Sequence, residues 1–290
     1  MKIEEFLTRI DLDNSKDTIF KAVKKEFHGE KDVPVLVTRM DLQSGNGSVS
    51  AILKSTLFPM NKIFVMQPSK LKGIVEVSSS ITLQGGYTMI AKGDDSELEW
   101  HLASDETPEI KQQMDENKMP FINPAKFSYA NGVKLTQALV NKIIKYHSLV
   151  NIGSFQFLGD GKQVRIIGRA ADGENRVVLA TLPFALTYDE YYDASLNYVL
   201  KVVKNTDSML FLGHPSKKDN KVPPVRIMVE DGDAEINYFV ERVLPPSTKV
   251  AEPTGAEDGE TGEEPAEPAT TTPEPEEAHA DSTPEDQLEL

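Results

Sequence analysis

Apolar residues fall at helical spacing in four stretches of this chain, and near each stretch the pattern switches to short runs separated by turn residues. The first stretch spans 14–27, with Ile19, Phe20, Val23 and Phe27 on one stripe, Asn14 or Ser15 as cap and Asp17 in the first turn. Strands are predicted near 33–40 and 48–53, separated by Ser44-Gly45-Asn46-Gly47. A second unit has a strand at 62–66 and a helix over 68–77, opened by Pro68 and weakened by Gly73, then strands near 80–83, 87–92 and 97–102. A third has a strand at 126–130 and a helix over 133–147, where Leu135, Leu139, Val140, Ile143 and Ile144 recur at helical spacing. Its strands, 152–158, 163–169 and 175–181, are joined at Asp160-Gly161 and Asp172-Gly173, dipeptides that favour hairpins. The fourth has a strand at 186–192, a helix over 194–205, and strands at 208–213, 224–230 and 234–241, the last two joined at Asp231-Gly232.

One helix with two or three strands, repeated four times, predicts an α+β body of two similar halves. The stretch 103–124 breaks the pattern: it is polar, begins acidic and ends in an apolar knot at Met119, Pro120, Phe121 and Ile122. The expected organisation is a first domain over 1–108, a connector over 109–124, a second domain over 125–245 and a tail over 246–290. The tail, rich in Pro, Glu, Thr, Ala and Gly, holds too few large apolar residues to offset its ordering entropy, so it is expected to be disordered.

Charge changes the picture only when divided. The chain carries −15, but Lys249–Leu290 holds 14 acidic residues against one lysine, which leaves the body near −2. The tail reads either as a solubilising segment or as one that repels DNA or binds a basic partner. The absence of cysteine excludes disulfides, thiolate metal sites and cysteine nucleophiles. The N-terminus has no apolar signal region and no apolar run is long enough to span a bilayer, so a soluble, intracellular protein without a membrane partner is expected.

No catalytic constellation stands out: GxxxxGK[ST], HExxH and GxSxG are all missing. The five histidines have no partners at metal-ligand spacing, so neither an enzyme nor a metal or other cofactor is expected. Trp100 reads as the end of an edge strand. The lysines are more informative. Lys16, Lys21, Lys24 and Lys25 fall in the first predicted helix, Lys70 and Lys72 in the second, Lys134, Lys142 and Lys145 in the third, and Lys201 and Lys204 in the fourth. Lys142 and Lys145 lie one turn apart, as do Lys201 and Lys204, away from the apolar stripe. Such lysines are either the solvated face of surface helices or a set of sequence-independent phosphate contacts. Lysine suits a sliding contact, because its hydrated ammonium exchanges phosphates without a bidentate lock.

The runs KFSYANGVKLTQALVNKIIKYHSLVNIGSFQFLGDGKQVRIIGRAADGENRVVLA and SLNYVLKVVKNTDSMLFLGHPSKKDNKVPPVRIMVEDGDAEINYFVERV resemble the second domain of a sliding DNA clamp of the proliferating cell nuclear antigen (PCNA) type. Residues 62–102 resemble the second half of the first domain; residues 1–55 fit by layout, and the tail has no place in the family pattern. The divergence fits a viral, phage or archaeal source. The resemblance implies the DNA-clamp fold, two similar domains with helices on one face and antiparallel sheets on the other, assembled as a homotrimeric ring whose helices line a pore around double-stranded DNA. It further implies a processivity factor that binds DNA polymerase, needs an ATP-dependent clamp loader and works at the site of DNA replication, in a prokaryotic cytoplasm or an infected host cell. The eleven lysines would then be pore-facing. A partner groove would draw on Met119, Phe121 and Ile122 of the connector, Met40 and Leu42, and Leu244 and Pro245 at the body's end. Two alternatives are a clamp-like interaction hub that does not encircle DNA and a β-rich viral structural protein.

Overall fold

The computed structural model describes residues 1–12, 18–41, 46–84, 88–102, 127–172, 175–214 and 222–245. The first half runs α1 (Ile3–Ile10), β1 (Thr18–Phe27), β2 (Glu30–Asp41), β3 (Gly47–Lys54), β4 (Lys62–Met66), α2 (Pro68–Glu76), β5 (Ser80–Gln84), β6 (Thr88–Lys92) and β7 (Glu97–His101). The second half runs β8 (Val133–Leu135), α3 (Gln137–Val150), β9 (Ile152–Asp160), β10 (Val164–Ala170), β11 (Arg176–Leu182), β12 (Thr187–Asp193), α4 (Leu196–Val203), β13 (Ser208–Phe211), β14 (Val225–Asp231), β15 (Ala234–Val240) and β16 (Arg242–Val243). The α+β layout of helices and antiparallel strands expected from the pattern is present.

The first predicted helix is the main correction. Residues 18–27 form strand β1, which lies between β4 and β2 and pairs antiparallel with both. A central strand is buried on both faces, so its apolar residues need not alternate. Phe20 and Ala22 enter the main core, while Ile19 and Val23 join small clusters with Ile63, Val65, Val35 and Val37 on the opposite face. A run apolar on both faces matches a helical stripe as well as a strand, and pairing decides. The helix of this unit is α1, whose Ile3, Phe6, Leu7 and Ile10 recur at i, i+3, i+4 and i+7.

Three antiparallel sheets form: β4-β1-β2-β3-β15-β14-β13-β8, β11-β10-β9-β12-β16, and β5-β6-β7. The repeat is visible in the order. The run β3-β2-β1-β4 of the first half corresponds to β11-β10-β9-β12 of the second, and β5-β6-β7 corresponds to β13-β14-β15. The halves join where β15 pairs with β3, from Ala234 opposite Leu53 to Val240 opposite Gly47. One core runs beneath the helices of both halves, from Phe6, Leu7 and Leu71 to Val140, Ile143, Val199 and Val203.

The turns follow local chemistry. At Asp160-Gly161 only the glycine takes a left-handed φ, +87°, and the Asp160 carboxylate accepts the N–H groups of Lys162 (2.9 Å) and Gln163 (3.0 Å). Thr136 caps α3 by accepting the Leu139 N–H, and Asn151 ends it in a left-handed conformation at φ +50°.

Burial holds the Tyr238 hydroxyl well above its usual pKa, so it stays a neutral donor, and it donates to the Arg9 carbonyl at 3.0 Å, pinning the end of α1 to β15. Tyr238→Phe leaves that carbonyl without its partner. It is expected to lower unfolding free energy by about 1–3 kcal/mol, read as a lower urea midpoint at unchanged m-value.

Candidate nucleic-acid interface

Packing brings helices of the two halves together. α1 packs against α2, and α3 against α4. The C-terminal end of α4 is held from both sides. Arg9 of α1 donates to Thr206 Oγ1 at 3.1 Å and to the Val202 carbonyl at 3.5 Å. From α3, Gln137 Nε2 donates to the Thr206 carbonyl at 3.3 Å, and its Oε1 accepts the Asn205 N–H at 2.8 Å. A guanidinium at a helix C-terminus satisfies carbonyls that the helix itself leaves unpaired. The chain of contacts therefore runs α2–α1–α4–α3.

The charge on this layer is uneven. Neither α3 nor α4 contains an acidic residue, and Lys142, Lys145, Lys201 and Lys204 are all exposed. Tyr198 stands among them, 58% exposed, with the Lys201 ammonium 5.4 Å from its ring centroid. Its i, i+3 spacing to Lys201 is readable in the sequence, but a search for basic residues alone passes over it. His147 stacks near Phe155, and burial together with the Lys201 charge holds its imidazole below the usual pKa. On α2, Lys70 sits 5.6 Å over the Trp100 ring and Lys72 lies 3.9 Å from Glu76. α1 is not basic: Glu4 and Glu5 occupy its first turn, and Glu5 binds Arg9 at 2.6 Å. The unopposed positive charge lies on the second half.

Several predicted site residues lie elsewhere. Lys21, Lys24 and Lys25 are on β1. Alternation puts Lys21 and Lys25 with Ile19 and Val23 on the sheet face opposite the helices, so they do not share a surface with α3 and α4. Burial lowers the Lys25 pKa, partly offset by Glu235. Lys134 precedes its helix, on β8, and binds Asp207 at 2.7 Å. Met40 packs into the main core opposite Val49 and offers no surface to a groove. Leu244 is 82% exposed and Pro245 is exposed beside it. Lys16, Leu42, Met119, Phe121 and Ile122 lie outside the described residues, as do the connector and the tail. Among the described residues no cluster of His, Asp or Glu could hold a metal ion, and no helix is long and apolar enough to cross a membrane.

No family model and no curated protein matches the sequence. Solved structures do match by shape. PCNA of A. fulgidus, solved with the C-terminal region of FEN-1, aligns with TM-score 0.55 at 13% identity over 84% of this chain and 96% of its own. PCNA of Thermococcus kodakaraensis aligns with TM-score 0.55 at 13% identity over 84% and 98%. PCNA of Entamoeba histolytica aligns with TM-score 0.55 at 10% identity over 83% and 94%. The chain has the fold of a PCNA-type sliding clamp, in a form whose sequence has diverged far from these structures.

Because the folded imidazole of His147 binds its proton less tightly than the unfolded chain does, the unfolded state holds more protons as pH drops below the ordinary value of 6.5. His147 therefore costs stability progressively through that window, until the folded pKa is also passed. Lys201→Gln removes one cause of the depression. NMR titration is expected to show the His147 pKa moving up, toward its ordinary value; an unchanged pKa would separate the two side chains electrostatically.

Proposed function

We propose that this protein is a DNA sliding clamp: a non-enzymatic processivity factor that encircles duplex DNA and tethers a DNA polymerase. The observation that carries this reading is the acid-free pair α3 and α4, with four exposed lysines and an exposed tyrosine, set on a clamp fold. Lysine–phosphate contacts are sequence-independent and individually weak, as a ring that stays on DNA by topology requires.

Ring closure follows from the repeat. Inside the chain, β15 pairs with β3. The corresponding strands, β7 and β11, are edge strands of their sheets among the described residues. Edge strands present unpaired N–H and C=O groups. Joining β7 of one copy to β11 of the next, antiparallel as within the chain, would rebuild the same sheet order and propagate copies head to tail. Rings form when such a rotation closes, and three two-fold-repeated copies are the proposed number. A closed ring cannot thread itself onto circular DNA, so an ATP-dependent loader is required, and the site of action is the site of DNA replication. Polymerase and other replication proteins would bind the same ring. The solved complex of A. fulgidus PCNA with FEN-1 supports partner docking on this fold, and the exposure of Leu244 and Pro245 supports a contribution from them to such a groove.

Two measurements test this reading. Changing Lys142, Lys145, Lys201 and Lys204 together to glutamate is expected to leave fold and oligomer intact and abolish processive synthesis. The salt dependence of DNA binding should also flatten, by roughly 0.9 in log–log slope for each phosphate no longer neutralised. Wild-type processivity in this variant would favour the non-encircling interaction hub. Separately, Val178 on β11 is 51% exposed in the single chain. Val178→Asp puts a charge beside the proposed junction, and light scattering is expected to show the trimer replaced by monomer; an unaffected trimer would place the junction elsewhere.

A further inference from the structure

The same repeat exposes a position that is empty among the described residues. In the second half, β13 does not form a sheet edge, because β8 pairs with it antiparallel, Leu135 opposite Ser208 and Val133 opposite Leu210. β8 is the short strand just ahead of α3, and its Leu135 is buried in the core. The corresponding strand of the first half is β5, and among the described residues its outer edge has no partner. Met1 and Lys2, the residues ahead of α1, are not in a strand. The vacant side is marked by a cleft of about 860 Å³ that runs along Ser79–Thr82 and is closed by Met1, Ile3, Leu57 and Phe58. It lies where β8 lies in the other half: beside the strand corresponding to β13, and at the start of the helix corresponding to α3.

We propose that the β5 edge takes an extended segment of a partner protein as a fourth strand, by β-strand addition. In this mode main-chain hydrogen bonds supply affinity and alternate side chains supply specificity. The chemistry of the occupant is read from β8 and from the cleft. β8 is apolar–polar–apolar, Val133-Lys134-Leu135, with the apolar residues turned to the core. The cleft lining mixes the apolar side chains of Ile3, Leu57 and Phe58 with the hydroxyls of Ser80 and Thr82 and the charges of Lys54 and Asp233. An extended segment with apolar residues at alternate positions fits; a helix presents no free main-chain groups to an edge strand. The tail over 246–290 ends in the same apolar–polar–apolar pattern, Leu288-Glu289-Leu290, so β5 protection in the free chain that is lost when 246–290 is deleted would assign the edge to the tail and overturn the proposal. The inference rests on the repeat and the cleft, and holds whether or not the ring encircles DNA.

The test uses the full chain and a synthetic peptide with the sequence of residues 130–136, ANGVKLT. Hydrogen exchange over β5 should be fast in the free chain and slow by about tenfold at saturating peptide. A control peptide with proline in place of its valine and leucine should have no effect. A chain carrying the same seven residues fused ahead of Met1 should show β5 protected in cis and should no longer bind the peptide. β5 amides already protected in the free chain would overturn the proposal, and protection that rises with protein concentration would assign the slot to a second copy. Protection at β13 instead, with β8 displaced, or no protection at all, would equally overturn it.

Discussion

Antiparallel pairing of β15 with β3 is the interaction on which the rest of the structure depends. It fuses two half-molecules into one eight-stranded sheet, and its register decides which side that sheet presents to the helices. Leu53, Ala51 and Val49 lie opposite Ala234, Ile236 and Tyr238, and all six enter the same core. Side chains alternate with a period of two, so a slip of one residue would turn Ile236, Tyr238 and Val240 to the other face. The Tyr238–Arg9 hydrogen bond would go with them, and with it one of the attachments of α1 to the second half. Since Arg9 also holds the end of α4, the helix layer inherits its order from this one strand pair.

On that frame the electrostatics divide by surface. The body is close to neutral, yet α3 and α4 offer four lysines without an acid among them, while α1 begins with Glu4 and Glu5. Net charge therefore says little about the capacity to hold a polyanion; the local field of a helix face sets that. The −13 carried by Lys249–Leu290 enters the net charge of the chain, but exposed charges separated by more than a Debye length, about 8 Å at physiological salt, are screened from one another. Under the proposed function, a basic face of individually weak contacts and two sheets with complementary edges, β7 and β11, unpaired among the described residues, would belong to one design. Each phosphate contact could then stay replaceable, because retention would be left to closure of a ring.

Much of the strand order was legible in turn residues and spacing, because Asp160-Gly161 and Asp231-Gly232 mark hairpins by local chemistry. Helices α2, α3 and α4 were legible because each buries a single stripe. β1 was not, since pairing on both sides buries both its faces and erases the period of two. Reading it as a helix puts Lys21 and Lys25 on a layer they do not reach, and leaves α1, eight residues with its own clean stripe, unused. Lys134 is misplaced for a smaller reason: Thr136 caps the helix two residues further on. Met40 reads as a surface residue, but its burial depends on β3 lying alongside β2, a long-range fact that no local pattern carries. Tyr198 is passed over by a reading of basic residues alone, although its i, i+3 spacing to Lys201 on α4 is legible.

The central claim, a ring held on DNA by topology, is tested most directly by retention. Clamp loaded onto a nicked circular duplex by a cognate loader should stay bound through a high-salt wash and leave when the circle is cut once. Equal loss from intact and cut circles under the same wash would show that the protein is held by surface contacts alone, and would contradict encirclement.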